Sequence, residues 1–238
     1  MRTGRRIALL VLGPLAIGAL RLVLPYDTSD SAAVMVAKAY AHPARESAVL
    51  WLLMLGLLTL VPGVLVVLSR TRGSQPRLTT WAGVLVVPAY LCLGGPAATD
   101  LLVWSAQQAN LPQAQAVALV SHVHATVGLQ LAVFVVGHVV GTVLLGLAVL
   151  RSGVAPAPAA WALVVSQPLH FVAAVVLGSH ALDLFAWCLT AVGMACVSAS
   201  TSFGANRVEG RTGHGERIAR VPAHPFPASV GTDRKASL

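Results

Sequence analysis

Residues 125–150 read ATVGLQLAVFVVGHVVGTVLLGLAVL. No Asp, Glu, Lys or Arg interrupts this run, and a helix of that length at about 1.5 Å per residue is longer than the roughly 30 Å hydrocarbon core of a bilayer. Its one titratable side chain, His138, lies in the middle. The run therefore predicts a membrane-spanning helix with an imidazole at bilayer depth.

The flanking sequence repeats the pattern. Between Leu78 and Asn206 the only other charged residues are Asp100, Arg151 and Asp183. The whole chain is 56% hydrophobic and 10% charged, with a mean hydropathy of +0.77, against roughly 25% charged residues in a soluble domain. Six segments have spanning length, at 7–24, 48–68, 81–104, 125–150, 159–178 and 184–203. The expected fold is all-α, a polytopic transmembrane bundle of six helices over residues 1–203. Residues 204–238, rich in Gly, Pro, Ser and Arg, read as a basic, disordered cytoplasmic tail.

Lys and Arg orient the bundle. Arg2, Arg5, Arg6, Arg70, Arg72, Arg77, Arg151 and the tail cations fall on one side, which places both termini in the cytoplasm. The first segment has a basic start, but Arg21 interrupts it and no convincing A-x-A site follows, so it reads as a retained helix and not a signal peptide. Arg21, near the outer end of that helix, can snorkel or pair with a carboxylate such as Asp27. The net charge of +8 reflects topology and the tail; no motif or folded basic face accompanies it, so nucleic acid is not an expected partner. Cys92, Cys188 and Cys196 lie singly in apolar runs, without C-x-x-C spacing, and read as core residues.

At an offset of 80 residues Trp81, Pro88, Tyr90 and Asp100 fall on Trp161, Pro168, His170 and His180. Either this is a duplicated helical hairpin, helices 2–3 repeated as 4–5 about an axis along the membrane normal, or it is the partial match that any two Ala/Leu/Val-rich helices give. A true repeat makes Tyr90 the positional partner of His170. Pro88 and Pro168 lie inside their helices, where a missing N–H and a ring clash loosen the backbone. In Ser166-Gln167-Pro168-Leu169-His170 that loosening coincides with polar side chains: either they line a cavity, or Ser166 and Gln167 repair the kink.

His138 precedes Arg151 by 13 residues and His170 follows Ala157 by 13, so both lie about 20 Å from the turn between their helices. An ionisable residue at bilayer depth is costly, which makes the two histidines ligand-binding candidates with Gln167, Tyr90 and Asp100. The alternative is a pair of neutral imidazoles used as packing glue. Gly137 and Gly141 beside His138 allow a neighbouring helix to approach closely.

Five of the eight carboxylates gather at the outer face with several histidines. His122, His124, His180 and Asp183 are weak candidates for a divalent metal such as Zn²⁺, with His122-Val-His124 as an H-x-H pair. Glu46 and Asp183 equally suit helix caps and solvated ends. Haem fits one helix only: His124 and His138 are about 320° apart in rotation, nearly one face, whereas His170 and His180 are about 80° out of line.

Leu24-Pro25-Tyr26-Asp27-Thr28-Ser29-Asp30, His138-Val-Val-Gly-Thr142 and Ser166-Gln167-Pro168-Leu169-His170-Phe171 resemble segments of small uncharacterised six-helix integral membrane proteins of high-GC bacteria, a family of unknown function. The resemblance spans residues 7–203. It implies an inner-membrane bundle that retains these polar positions, and no reaction.

The leading functional expectation is an outward-opening polar cavity that binds a small amphiphile, lipid or ion, its floor near His138, Gln167, His170 and Tyr90 and its mouth ringed by Asp100, His124, His180 and Glu46. The runner-up is an integral-membrane enzyme acting on a lipid or isoprenoid, cyclase-like, with Asp100 or Glu46 as general acid and a histidine as base. Its carbocation chemistry sits poorly with an aromatic content of only 5%. The third reading is a structural or assembly subunit of a membrane complex.

Overall fold

The computed structural model describes the backbone of residues 3–212 and the side chains of residues 7–197. The described chain is helical: α1 (Thr3–Val23), α2 (Ala32–Ala41), α3 (Pro43–Thr71), α4 (Pro76–Cys92), α5 (Gly94–Gln108), α6 (Gln113–Ser121), α7 (Ala125–Ser152), α8 (Ala157–Phe171) and α9 (His180–Thr212). The chain divides into two units, residues 1–203 and residues 204–238. Beyond Thr212 the expected disordered tail lies outside the described residues.

Five helical stretches are long and apolar enough to cross a membrane: Pro43–Thr71, Pro76–Gln108, Ala125–Ser152, Ala157–Leu177 and His180–Val197. Ile7–Val23 is a shorter apolar helix. The pattern is that of a multi-pass membrane protein, and burial agrees with it: Trp51 is 75% exposed, while Glu46, His138, Gln167 and Asp183 are buried. Such an inversion suits hydrocarbon solvent, which leaves no drive to hide Trp or Leu and a large one to hide charge.

Local chemistry sets the helix ends. Pro43 and Pro76 occupy first turns, where a missing N–H costs nothing. Gly153 ends α7 at φ 65°. The segment expected as one helix over 81–104 is two, because Gly94, Gly95 and Pro96 break it after Leu93 while Pro88 stays inside α4. Likewise α8 leaves α geometry after Pro168 and continues as a π-helical turn, Val172–Leu177, closed by Gly178 at φ 59°. Two helices fall in stretches read as loops. α2 and α6 are too short to span, and Val36, Ala39 and Ala116 bury against Val103 and Ala106 of α5 in a small core of their own.

The main core lies between α1, α3, α4, α7, α8 and α9. Within it α4 lies close on α7: a Cβ on Gly141 would meet Val86 N at 2.8 Å, and one on Gly137 would meet Leu85 O at 2.8 Å. The two glycines that were expected to admit a partner helix therefore admit α4. On the other side, Gly193 of α9 takes Leu163 of α8, and Gly18 of α1 takes Trp187 of α9.

Candidate functional site

His138 lies on α7 and His170 on α8, both buried, with ring centroids 5.3 Å apart in an edge-to-face arrangement. The equal depth expected from residue counting is matched by facing rotation. His138 stacks on Phe134 one turn earlier, centroids 4.2 Å apart, and its Nδ1 lies 2.5 Å from the Phe134 carbonyl oxygen. A carbonyl only accepts, so Nδ1 carries the proton and Nε2 presents a lone pair in the neutral ring. That Nε2 is buried and has no partner. Trp187 of α9 completes the group, 5.4 Å from His170 and 6.5 Å from His138. Its indole Nε1 is also buried without a partner.

His170 is oriented from behind. Its Nδ1 donates to Asp183 Oδ1, the other Asp183 oxygen receives Arg21 Nε at 2.5 Å, and Arg21 Nη2 reaches Thr28 Oγ1 at 3.0 Å. Arg21 thus finds its counterion in Asp183 across the bundle and not in the nearby Asp27. Asp27 is occupied elsewhere, since Lys38 Nζ lies 3.2 Å from it and 2.7 Å from Asp30. Lys38, and next the Asp27 N–H, hold the Asp30 carboxyl below its ordinary pKa, and the same carboxylates raise that of Lys38. These contacts fasten the segment between α1 and α2, whose entry is fixed by Arg45 donating to the Val23 and Leu24 carbonyls at 2.8 and 3.1 Å.

A second polar pair lies on the same segment. Tyr26 donates its hydroxyl to Asp100 of α5. Burial, then the Asp100 charge, pushes the Tyr26 pKa well above its ordinary value, so the phenol stays a donor. Glu46, in the first turn of α3, lies within electrostatic reach of both, is fully buried, and neither oxygen has a hydrogen-bond partner.

A cavity of about 490 Å³ joins these groups. Arg21, Tyr26, Asp100, His138, His170 and Trp187 all line it, within walls that are mostly apolar. Of the expected floor, His138 and His170 are on the lining; Gln167 and Tyr90 are not. Gln167 ties α8 to α9 through Thr190 Oγ1 at 2.8 Å, and Tyr90 is buried near Thr142. Ser166 donates to the Leu163 carbonyl at 2.9 Å, a bond within its own helix and not to the Val164 carbonyl that Pro168 leaves without its amide donor. Of the expected mouth, Asp100 lines the cavity and His124, His180 and Glu46 do not.

The metal candidates are dispersed. His122 hydrogen-bonds the Ala118 carbonyl and His124 caps α7 through Thr126 N, both exposed. His180 Nε2 lies 3.1 Å from Asp27 Oδ1, close but not aligned for a hydrogen bond, while Asp183 is enclosed by Arg21 and His170. Asp183 and Glu46 are therefore interior groups, not solvated helix ends. Among the described residues no group of three or more His, Cys, Asp or Glu is placed to hold a metal ion. Nor can a porphyrin stand between His138 and His170, whose rings are already in contact.

The sequence reading missed the Asp183–His170 contact, the Arg21–Asp183 bridge and the place of Trp187 on the lining. An arginine inside an apolar helix demanded a counterion, but nothing in linear spacing chose among the five carboxylates at that end. No protein family, characterised protein or solved structure matches the chain.

Proposed function

We propose that this is a six-span bacterial inner-membrane protein, Ile7–Val23 supplying the sixth span and both termini cytoplasmic, whose cavity binds a small amphiphile drawn from the bilayer. One observation carries the reading: on the cavity lining, His138 keeps a buried, unpartnered ring nitrogen beside a histidine held in place by Asp183 and Arg21. Such a nitrogen costs free energy until something hydrogen-bonds it, so a ligand there binds a site already organised. The rim fits an amphiphile. Leu131 of α7 and Val175 beyond α8 line the cavity yet are 46% and 48% exposed, so the opening between these helices is apolar. A duplicated hairpin is part of this reading, resting on the Trp-x6-Pro-x-Tyr/His spacing shared by Trp81, Pro88 and Tyr90 with Trp161, Pro168 and His170.

Mass spectrometry of protein purified in mild detergent tests the proposal. A co-purifying lipid or amphiphile present with wild type and depleted about tenfold or more in His138→Ala and His170→Ala is expected. Protein free of any small molecule, identical in all three forms, overturns it in favour of an assembly subunit.

The geometry also favours an enzyme as second reading. Asp183 accepts the hydrogen bond from His170 Nδ1–H, which leaves Nε2 as an oriented base, and Asp100, once protonated, is the acid on the same lining. Conversion of the bound molecule into an isomer of different chromatographic retention or a product of new mass, abolished in Asp183→Asn, would select it.

A further inference from the structure

We infer that the ligand's polar head is a neutral hydroxyl, held between His138 Nε2 and Trp187 Nε1. The inference rests on the cavity reading above and specifies its chemistry. Two lining residues each present one unsatisfied buried atom, and the two are opposite in kind. His138 has its proton fixed on Nδ1 by the Phe134 carbonyl, so Nε2 is an acceptor. Trp187 Nε1–H can only donate. The two rings are nearly parallel, 5° between planes, with centroids 6.5 Å apart. One hydroxyl can accept from an N–H at about 2.9 Å and donate to a ring nitrogen at about 2.8 Å, and so serves both atoms when they lie within about 5.7 Å of each other.

The demand for a donor and an acceptor on one small group sorts the head groups. A hydroxyl supplies both. A carboxylate only accepts, which satisfies Trp187 and sets lone pairs against Nε2; an ammonium only donates, which satisfies His138 and leaves the indole N–H orphaned. Charge gives an anionic head no compensating advantage, and the lining carboxylate of α5, Asp100, already receives the Tyr26 hydroxyl. The nearest cation, Arg21, already spends its charge on Asp183, and the Nδ1 edge of His170 is taken by the same carboxylate. Water has the same donor–acceptor chemistry as an alcohol, but the remaining wall is mostly apolar and the space far exceeds one water, which favours a hydroxyl on an apolar tail.

The test is titration of the delipidated, detergent-solubilised full chain, followed by native mass spectrometry, with three probes of one tail: 1-dodecanol, dodecanoate and dodecylamine. The expected result is alcohol binding about tenfold tighter than either ion. Trp187→Phe, which keeps the ring and removes the N–H, and His138→Phe, which removes the acceptor and keeps a stacking ring, should each weaken the alcohol about tenfold and erase the discrimination. Thermal unfolding of Trp187→Phe within about 2 °C of wild type separates loss of the head contact from loss of fold. Equal binding of the three heads, preference for an ion, no binding of the alcohol, or alcohol binding indifferent to both variants overturns the inference, the last by showing that water alone fills the gap. The first two outcomes leave the amphiphile cavity standing; the endogenous ligand surviving His138→Ala and His170→Ala would remove both.

Discussion

Asp183 receives two donors from different helices, the guanidinium of Arg21 and the Nδ1–H of His170, with its own side chain fully buried. Breaking a buried pair from one side leaves an uncompensated charge, which costs far more than the pair itself is worth. Asp183→Ala is therefore expected to lower stability by about 3 kcal/mol in denaturant unfolding in detergent. A change within about 0.5 kcal/mol would class Asp183 with surface positions. At this scale the sequence was half legible. His138 and His170 were found because imidazoles in apolar runs are conspicuous and residue counting measures depth. Their partners were not, because a contact between α8 and α9 depends on rotation about each helix axis and on the π-helical turn between them, and neither leaves a periodic trace.

α7 shows how differently two glycines of one helix act. Gly141 sits where a Cβ would strike the backbone nitrogen of Val86 at 2.8 Å, whereas Gly128 has nothing within 4 Å. Gly141→Ala must push α4 away and is expected to cost about 1–3 kcal/mol by overpacking. Gly128→Ala meets open space and should stabilise by roughly 0.5–1 kcal/mol through lost backbone freedom in the unfolded chain. Thermal melts of the two variants should move in opposite directions. Long apolar elements such as α7 were readable almost to the residue, since the absence of charge over a bilayer's length is a strong signal. The α4–α5 break was not, because Pro88 looked the stronger breaker, yet a proline inside a helix can be accommodated as a kink while Gly94-Gly95-Pro96 removes both propensity and a donor. α2 and α6 escaped because ten or fewer residues with a small apolar face lie below the length at which spanning hydropathy is diagnostic.

For the whole molecule, the connections between α3 and α4 and between α7 and α8 lie at one end of the antiparallel bundle, and the segment from α5 to α6 lies at the other. In a background with the native cysteines replaced, Ser74→Cys and Ala157→Cys are expected to react with an impermeant thiol reagent only from the cytoplasmic side, and Gln113→Cys only from outside. Uniform labelling would overturn the assigned orientation. Class and bundle architecture were legible from composition because exclusion of charge is a property of the whole chain; the cavity was legible only as a demand for one, since its walls come from eight helices that no pairwise spacing relates. The apolar rim between Leu131 and Val175 carries a last consequence. A doorway that faces acyl chains samples solutes dissolved in the leaflet, so occupancy follows their mole fraction among lipids. On the proposed reading, a sparingly soluble alcohol, enriched there by its oil–water partition coefficient, would saturate the protein at an aqueous level far below the intrinsic dissociation constant.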